Sequence, residues 1–298
     1  MGSVGIPSKA WWALAATSIL WGTTWVASRM SVQDTPGLQV ACIRQFIAGA
    51  IWVGYFLFMG EKIPKGKTLL WLLILSFFIF VLANGLSTWS VRYISSGLGS
   101  LIGALYPMCV VLLELVFFKK KTKWLTWIGL FLGLTGVAVV FYENTFHEQP
   151  EGYEFGILLG MVAMLAWSAG TLILSKNKVD INPYYAIGWQ MLFGSVQLAL
   201  LAAATGQLVQ ISSIPLSSWL TIGYLVSVGS ILTFSAFIYS IRHLPASLAS
   251  LYAYINPIVA MVTGALVLNE SITLNLIIGA VITVVGVYIV NHSIKKET

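Results

Sequence analysis

Hydrophobic residues along this chain fall in long, nearly unbroken runs. The runs extend about 18–24 residues, the length that carries an α-helix across the hydrocarbon core of a bilayer. A transmembrane β-barrel would instead give short alternating segments. Ten spans follow, at Ala10–Arg29, Gly37–Phe58, Thr68–Trp89, Ser95–Phe118, Trp124–Tyr142, Phe155–Leu174, Pro183–Ala204, Ser217–Tyr239, Ala246–Leu268 and Ile272–Asn291. The predicted fold class is an all-α integral membrane protein of ten transmembrane helices, with loops too short to hold a soluble domain.

The pattern also repeats. Residues 89–107 (WSVRYISSGLGSLIGALYP) and 239–257 (YSIRHLPASLASLYAYINP) align without a gap, sharing Ser90/Ser240, Arg92/Arg242, Leu98/Leu248, Ser100/Ser250, Leu101/Leu251 and Pro107/Pro257. A weaker echo relates Trp21–Arg29 to Trp167–Lys176, and Pro36 to Pro183 at the starts of the second spans. In that echo Gln190 stands opposite Arg44. The chain thus divides into two five-helix units, residues 1–148 and 149–298. Five is odd, so the second unit enters the membrane from the opposite side. The two units are expected to be inverted repeats about a pseudo-two-fold axis in the membrane plane, an arrangement typical of carriers.

Composition and charge sharpen this picture. The chain is 58% hydrophobic and 9% charged, with a mean hydropathy of +0.88. Soluble domains are about 25% charged. The net charge of +6 does not point to nucleic acid, because of where the cations lie. With the N-terminus inside, the cytoplasmic segments hold Lys9, Lys62, Lys65, Lys67, Lys119, Lys120, Lys121, Lys123, Lys176, Lys178, Arg242, Lys295 and Lys296. Arg29 and Arg92 fall on the other side, where the longest loop carries Glu143, Glu148, Glu151 and Glu154. This positive-inside bias puts both termini in the cytoplasm. The first span is read as a retained helix rather than a cleaved signal peptide.

Several function classes lack their residues. There is no phosphate-binding Gly-x-x-x-x-Gly-Lys-Ser/Thr motif. His147, His243 and His292 lie in loops or at a span end, and no ligand cluster suggests a metal. No Ser–His or paired-carboxylate set sits at membrane depth. Cys42 and Cys109 fall within spans and imply no disulfide framework. No catalytic residue, metal or cofactor is expected. The expected partners are a small-molecule substrate and the lipid bilayer.

Six segments resemble the drug/metabolite transporter superfamily in its ten-helix EamA-type branch. They are Leu20–Trp25 (LWGTTW), Cys42–Ile47 (CIRQFI), the twin segments ending at Pro107 and Pro257, and Leu268–Thr273 (LNESIT) followed by Ile278–Gly286 (IGAVITVVG). The resemblance covers nearly the whole chain. It implies a cavity lined by spans one to four and six to nine, with spans five and ten peripheral. It also implies transport of small organic metabolites, often export of amino acids or related compounds. One departure is Phe118–Lys123 (FKKKTK), where the family commonly has a Gly-Glu-like turn such as the one at Glu270. Glu270 is read as a cap for the tenth helix.

Arg44 is the sharpest candidate. It lies about seven residues, or roughly 10 Å, inside its span. A charge in hydrocarbon costs several kcal/mol and must face protein or water. Two readings stand: a fixed cation that binds a carboxylate, or a structural arginine bonded to neighbouring carbonyls. Glu114 is read as snorkelling toward the cytoplasmic lysines. Pro107 and Pro257 are expected to kink mid-span and to free the carbonyls of Gly103 and Ala253. Ser95, Gly99, Gly103, Pro245, Ala249 and Ala253 are read as close helix packing. The candidate substrate-binding set is Arg44, Trp21, Thr24, Asn84, Tyr106, Trp167, Thr171, Trp189, Gln190, Tyr252 and Asn256, apolar walls with a few polar fixings.

The expected function is a secondary transporter working by alternating access. It would export an amino acid or related carboxylate across a bacterial cytoplasmic membrane. The alternatives are a channel-like facilitator, an integral-membrane enzyme and a non-transporting sensor.

Overall fold

The computed structural model describes residues 7–119, 123–145, 151–176, 181–244, 248 and 251–295. Among these, ten helical segments correspond to the ten predicted spans. They are α1 (Ser8–Asp34), α2 (Gly37–Phe58), α3 (Gly66–Ser90), α4 (Ser96–Ala104 continued by Tyr106–Phe118), α5 (Trp124–Thr145), α6 (Tyr153–Lys176), α7 (Pro183–Ala204), α8 (Leu216–His243), α9 (Tyr252–Leu268) and α10 (Leu274–Lys295). Six of them, α2, α3, α4, α6, α7 and α8, are long and apolar enough to cross a membrane. α5, α9 and α10 carry shorter apolar stretches, Trp124–Val140, Tyr252–Leu268 and Leu274–Val290. α1 is long but more polar, because Thr17, Ser18, Thr24, Ser28 and Ser31 occupy its buried face. Three of these hydroxyls donate to the carbonyl one turn back, Thr17 to Ala13, Ser18 to Leu14 and Ser31 to Ala27, each at 2.8 Å. Such bonds let polar side chains sit in an apolar interior without an orphaned donor.

Local chemistry sets the helix ends. Pro36, Pro183 and Pro215 stand at or just before the first turns of α2, α7 and α8, where a missing N–H loses nothing. Asn182 and Ser95 cap α7 and α4 by accepting from Tyr184 N (3.0 Å) and Leu98 N (3.2 Å). α4 and α9 each close on a non-glycine residue in the left-handed region, Lys119 (φ 48°) and Asn269 (φ 53°). α3 and α8 each contain a π-helical stretch, Phe77–Gly85 and Leu225–Leu232. Such widened turns recur at functional sites.

α1 is central, packed along α8 and α9. α6 packs along α3 and α4, α2 along α7, and α5 along α10. The α5–α10 seam is built on glycine. A Cβ at Gly129 would lie 2.7 Å from the Gly286 carbonyl, and one at Gly136 2.6 Å from that of Gly279. Backbones approach this closely only at small residues.

The break at Pro107 falls in the turn before it, while the expectation for Glu270 changes. α4 breaks at Leu105, two residues before Pro107, and its pieces join through shorter bonds from Leu105 N to Ile102 O and from Met108 N to Leu105 O. Pro257 lies near the start of α9, after a comparable tightening at Leu251. Glu270 does not cap α10; Thr273 does, accepting from Leu276 N at 3.1 Å. Glu270 instead caps α4, where its carboxylate accepts from Ser96 N (2.9 and 3.1 Å) and Ser96 Oγ (2.6 Å). The predicted start of the ninth span at Ala246, with Pro245, Ala249 and Ser250 of the second twin segment, lies outside the described residues. So do Lys120, Lys121, Lys178, Lys296, His147 and Glu148.

Candidate functional site

A cavity of about 140 Å³ opens between α1, α3, α4, α6 and α9, with one residue each from α2 and α8. Helical spacing builds each wall. α1 contributes Trp21, Thr24, Trp25 and Ser28; α3 Asn84, Ser87 and Thr88; α6 Gly160, Ala163, Met164 and Trp167. Residues three and four apart share one helix face. α4 adds Gly99, Ser100, Gly103 and Tyr106, and α9 adds Tyr252, Ala253 and Asn256.

Arg44, from α2, is the one charged side chain among the described lining residues. It is 4% exposed, and its Nε donates to Ser230 Oγ of the α8 π stretch at 2.8 Å. Gly229 makes room for it, since a Cβ there would lie 2.8 Å from Nη2. No carboxylate pairs with Arg44 within 4 Å among the described residues; the one ion pair found there joins Arg29 and Glu270 at 4.0 Å. Close by, Asn84 Oδ1 accepts from Gln45 Nε2 at 2.7 Å. That leaves its amide nitrogen as the donor still available.

The lining hydroxyls have the opposite character. Thr24 donates to Trp21 O (2.7 Å), Ser87 and Thr88 both to Asn84 O (3.0 and 2.8 Å), and Ser100 to Gly97 O (2.7 Å). A hydroxyl has one proton. With that proton committed to the helix, each oxygen has only lone pairs left to offer. The cavity lining therefore offers donors at Arg44 and Asn84 and acceptors at these hydroxyls.

Rings close the two other boundaries. Trp21 contacts Phe234, Phe237 and Tyr252 with centroids 5.3, 5.0 and 5.2 Å away, and meets Trp167 edge-on at 6.1 Å. Trp25 lies over Gly99 and Gly103, where a Cβ would come within 2.9 and 3.2 Å of its ring. These two glycines do serve close packing, as expected, but against an indole, and both also line the cavity.

Just beyond Ser28, Thr88 and Gly99 sits a polar cluster. Arg29 Nη1 donates to the carbonyls of Val91 (2.5 Å) and Arg92 (2.7 Å). Arg92 Nη1 donates in return to Val32 and Gln33. Each arginine thus satisfies orphan carbonyls at the end of the other's helix. Glu270, bound to Ser96, joins the α9–α10 turn to this cluster.

Eight of the eleven candidate binding residues meet at this cavity: Arg44, Trp21, Thr24, Asn84, Tyr106, Trp167, Tyr252 and Asn256. Asn256 also ties α9 to α1; with its amide turned to satisfy both atoms, its nitrogen donates to Ser18 O at 2.6 Å. Three candidates lie elsewhere. Thr171 is one turn past Trp167, donating to Trp167 O at 2.9 Å. Trp189 packs on Phe193 and Tyr185, and Gln190 is buried on the same helix. α7 lies along α2 and α3, which take up its inward face, so it contributes no lining. Trp25, Ser28, Ser87, Thr88 and Ser100 were missed as candidates. Their signal was spacing, because each lies three, four or seven residues from a candidate on its own helix or, for Ser100, from Gly103.

A sequence profile of the EamA-like transporter family matches residues 8–142 and again 154–292. The uncharacterized inner membrane transporter YedA of Escherichia coli is 29% identical over 254 residues, covering 85% of this chain and 80% of that protein. The uncharacterized transporter YoaV of Bacillus subtilis is 25% identical over 299 residues, covering 97% and 99%. A solved crystal structure shares the fold at a TM-score of 0.67 and 16% identity, over 98% of this chain and 99% of that one.

Proposed function

The chain belongs to the EamA-like transporter family, and from that premise we propose that it is a secondary transporter exporting an amino acid or related carboxylate across the bacterial cytoplasmic membrane by alternating access. That it is a multi-pass membrane transporter follows from the family and its apolar helices; substrate, direction and mechanism are this reading. One observation carries it. A buried guanidinium faces a solute-sized cavity with a hydroxyl as its recorded hydrogen-bond partner. A carboxylate there gains charge-assisted, bidentate bonds. The hydroxyl lone pairs and indole rings that also line the cavity suit the ammonium of the same solute, the latter by cation–π attraction.

Alternation is supported by the duplication reading. The family profile matches each half once. α1 packs on α8 and α9 as α6 packs on α3 and α4, which is what exchanging the halves requires. Both third helices carry a π stretch, and both fourth helices end in a left-handed cap. The lysine distribution supports cytoplasmic termini. In that orientation the Arg29–Arg92–Glu270 cluster closes the outer side of the cavity, and the Trp21–Phe234–Phe237–Tyr252 rings close the inner side. Export requires the rings to part first and the arginine cluster second.

Proteoliposomes preloaded with single amino acids test this. Saturable efflux of at least one, lost in Arg44→Ala, is the expected result. Flux that never saturates replaces the carrier by a channel-like facilitator. Impermeability to every solute overturns transport of this class.

A further inference from the structure

We propose that Arg44 also forms a binding site for a small inorganic monoanion of the halide class, occupied between transport cycles and displaced by the organic carboxylate. The argument starts from charge. The guanidinium is 4% exposed and lies in the interior of a membrane bundle. Moving a cation there from water carries a penalty of several kcal/mol even after relaxation. Buried charges are therefore paired or coordinated. The protein's own answer at Arg44 is a neutral one, the 2.8 Å bond from Nε to Ser230. No carboxylate lies within salt-bridge distance among the described residues.

The donors left on the cavity lining are Arg44 and Asn84. Nη2 packs closely against Gly229, where any side chain would displace it, so the guanidinium is held in place at the cavity wall. Asn84 has its oxygen engaged by Gln45, so its amide nitrogen is the group with protons to offer. A spherical ion accepts from the guanidinium without any geometric demand, whereas water brings no charge. The solute carboxylate needs the same donors, so the two anions compete for one place. Substrate binding is then an exchange of one anion for another. The cation never faces the apolar interior unpaired, and the barrier to reloading is lowered.

The proposal rests on the carboxylate reading only for the displacement step, and the test separates the two. Thermal unfolding of the detergent-purified protein is followed at constant ionic strength, with no carboxylate solute. Sodium methanesulfonate is replaced stepwise by chloride or bromide. The expected result is a saturable rise in Tm of roughly 2 °C or more, since a ligand that binds only the folded state stabilises it by mass action. The rise should be absent in Arg44→Gln and retained in Arg44→Lys, which keeps a cation. A wild-type Tm indifferent to halide overturns the site. So does a halide effect that survives in Arg44→Gln, because the ion then binds elsewhere. If Arg44→Gln does not fold, chloride-35 line broadening of the wild type, reversed by a transported carboxylate, decides instead: no broadening, or broadening the carboxylate leaves unchanged, rejects it. Halide binding without transport leaves the site standing and sinks the transport reading; transport without halide binding does the reverse.

Discussion

Replacing Arg44 by methionine separates the two roles an intramembrane arginine can have. The native site sets several kcal/mol of desolvation against one charged hydrogen bond to Ser230, worth about 1.5–3 kcal/mol. If Arg44 is there to hold a ligand, the ligand-free protein is less stable for having it. Methionine keeps much of the volume and flexibility and removes the charge. Ser230 loses its donor but keeps a hydroxyl that can turn to a carbonyl of its own helix. Arg44→Met should then leave stability unchanged or raise it by about 1–2 kcal/mol, roughly 2–8 °C in Tm. In the same protein the carboxylate loses charge-assisted bonds of about 1.5–3 kcal/mol, roughly a 10- to 150-fold loss of affinity. Detergent unfolding scans and counterflow in proteoliposomes read the two quantities on one preparation. The reasoning is refuted if Arg44→Met loses 3 kcal/mol or more of stability while its folded fraction transports carboxylates normally. The arginine would then be a structural brace.

Gly229→Ala should push the guanidinium aside, because its Cβ would lie 2.8 Å from Nη2; the carboxylate KM should rise about tenfold, and an unchanged KM would count against the assigned geometry. Gly136→Ala should lower Tm by the equivalent of about 1–3 kcal/mol, because its Cβ meets backbone 2.6 Å away on α10; the solute KM should not move, since that seam does not line the cavity. Glu270→Gln should weaken the cap of α4 by about 1 kcal/mol and speed labelling of a cysteine at Ser28 by an impermeant maleimide from outside; unaltered labelling would remove the arginine cluster from the gate. Single cysteines at Thr122 and Thr145 should label from opposite sides of the membrane, and same-side labelling would overturn the inverted arrangement.

The fold was legible wherever it depended on run length. A segment of about 20 apolar residues has few options in a bilayer but to be a helix, so the ten spans and the ten helices coincide. What run length does not carry is a helix's internal geometry. The π stretches at Phe77–Gly85 and Leu225–Leu232 leave no compositional mark, because widening a turn changes the hydrogen-bond partner and not the residue types. The break in α4 was legible from Pro107, since proline perturbs the turn before it, and Leu105 lies within that turn. Glu270, by contrast, was misassigned. The helix that follows it in sequence is α10, but its carboxylate meets the N-terminus of α4, 174 positions away, and sequence order says nothing about such a meeting.

The binding residues were legible on helices that face the cavity along their length and illegible on those that touch it once. Trp21, Thr24, Asn84, Tyr106 and Trp167 belong to faces marked at three- and four-residue steps, and the same steps would have supplied Trp25, Ser28 and Thr88. α2 touches the cavity only through Arg44, and its placement depended on the cost of a charge rather than on periodicity. Gln190, its counterpart in the second half of the duplication, does not line this cavity. Side-chain reach accounts for the difference. α2 and α7 pack along one another, and both stand back from the cavity. An arginine extends its charge to α8, where it packs against Gly229 and bonds to Ser230. A glutamine, two heavy atoms shorter, ends inside the helix interface. If reach is what matters, the chemistry of the cavity is set by one position in one half, and the symmetry of the scaffold is broken by the length of a side chain rather than by any difference in fold.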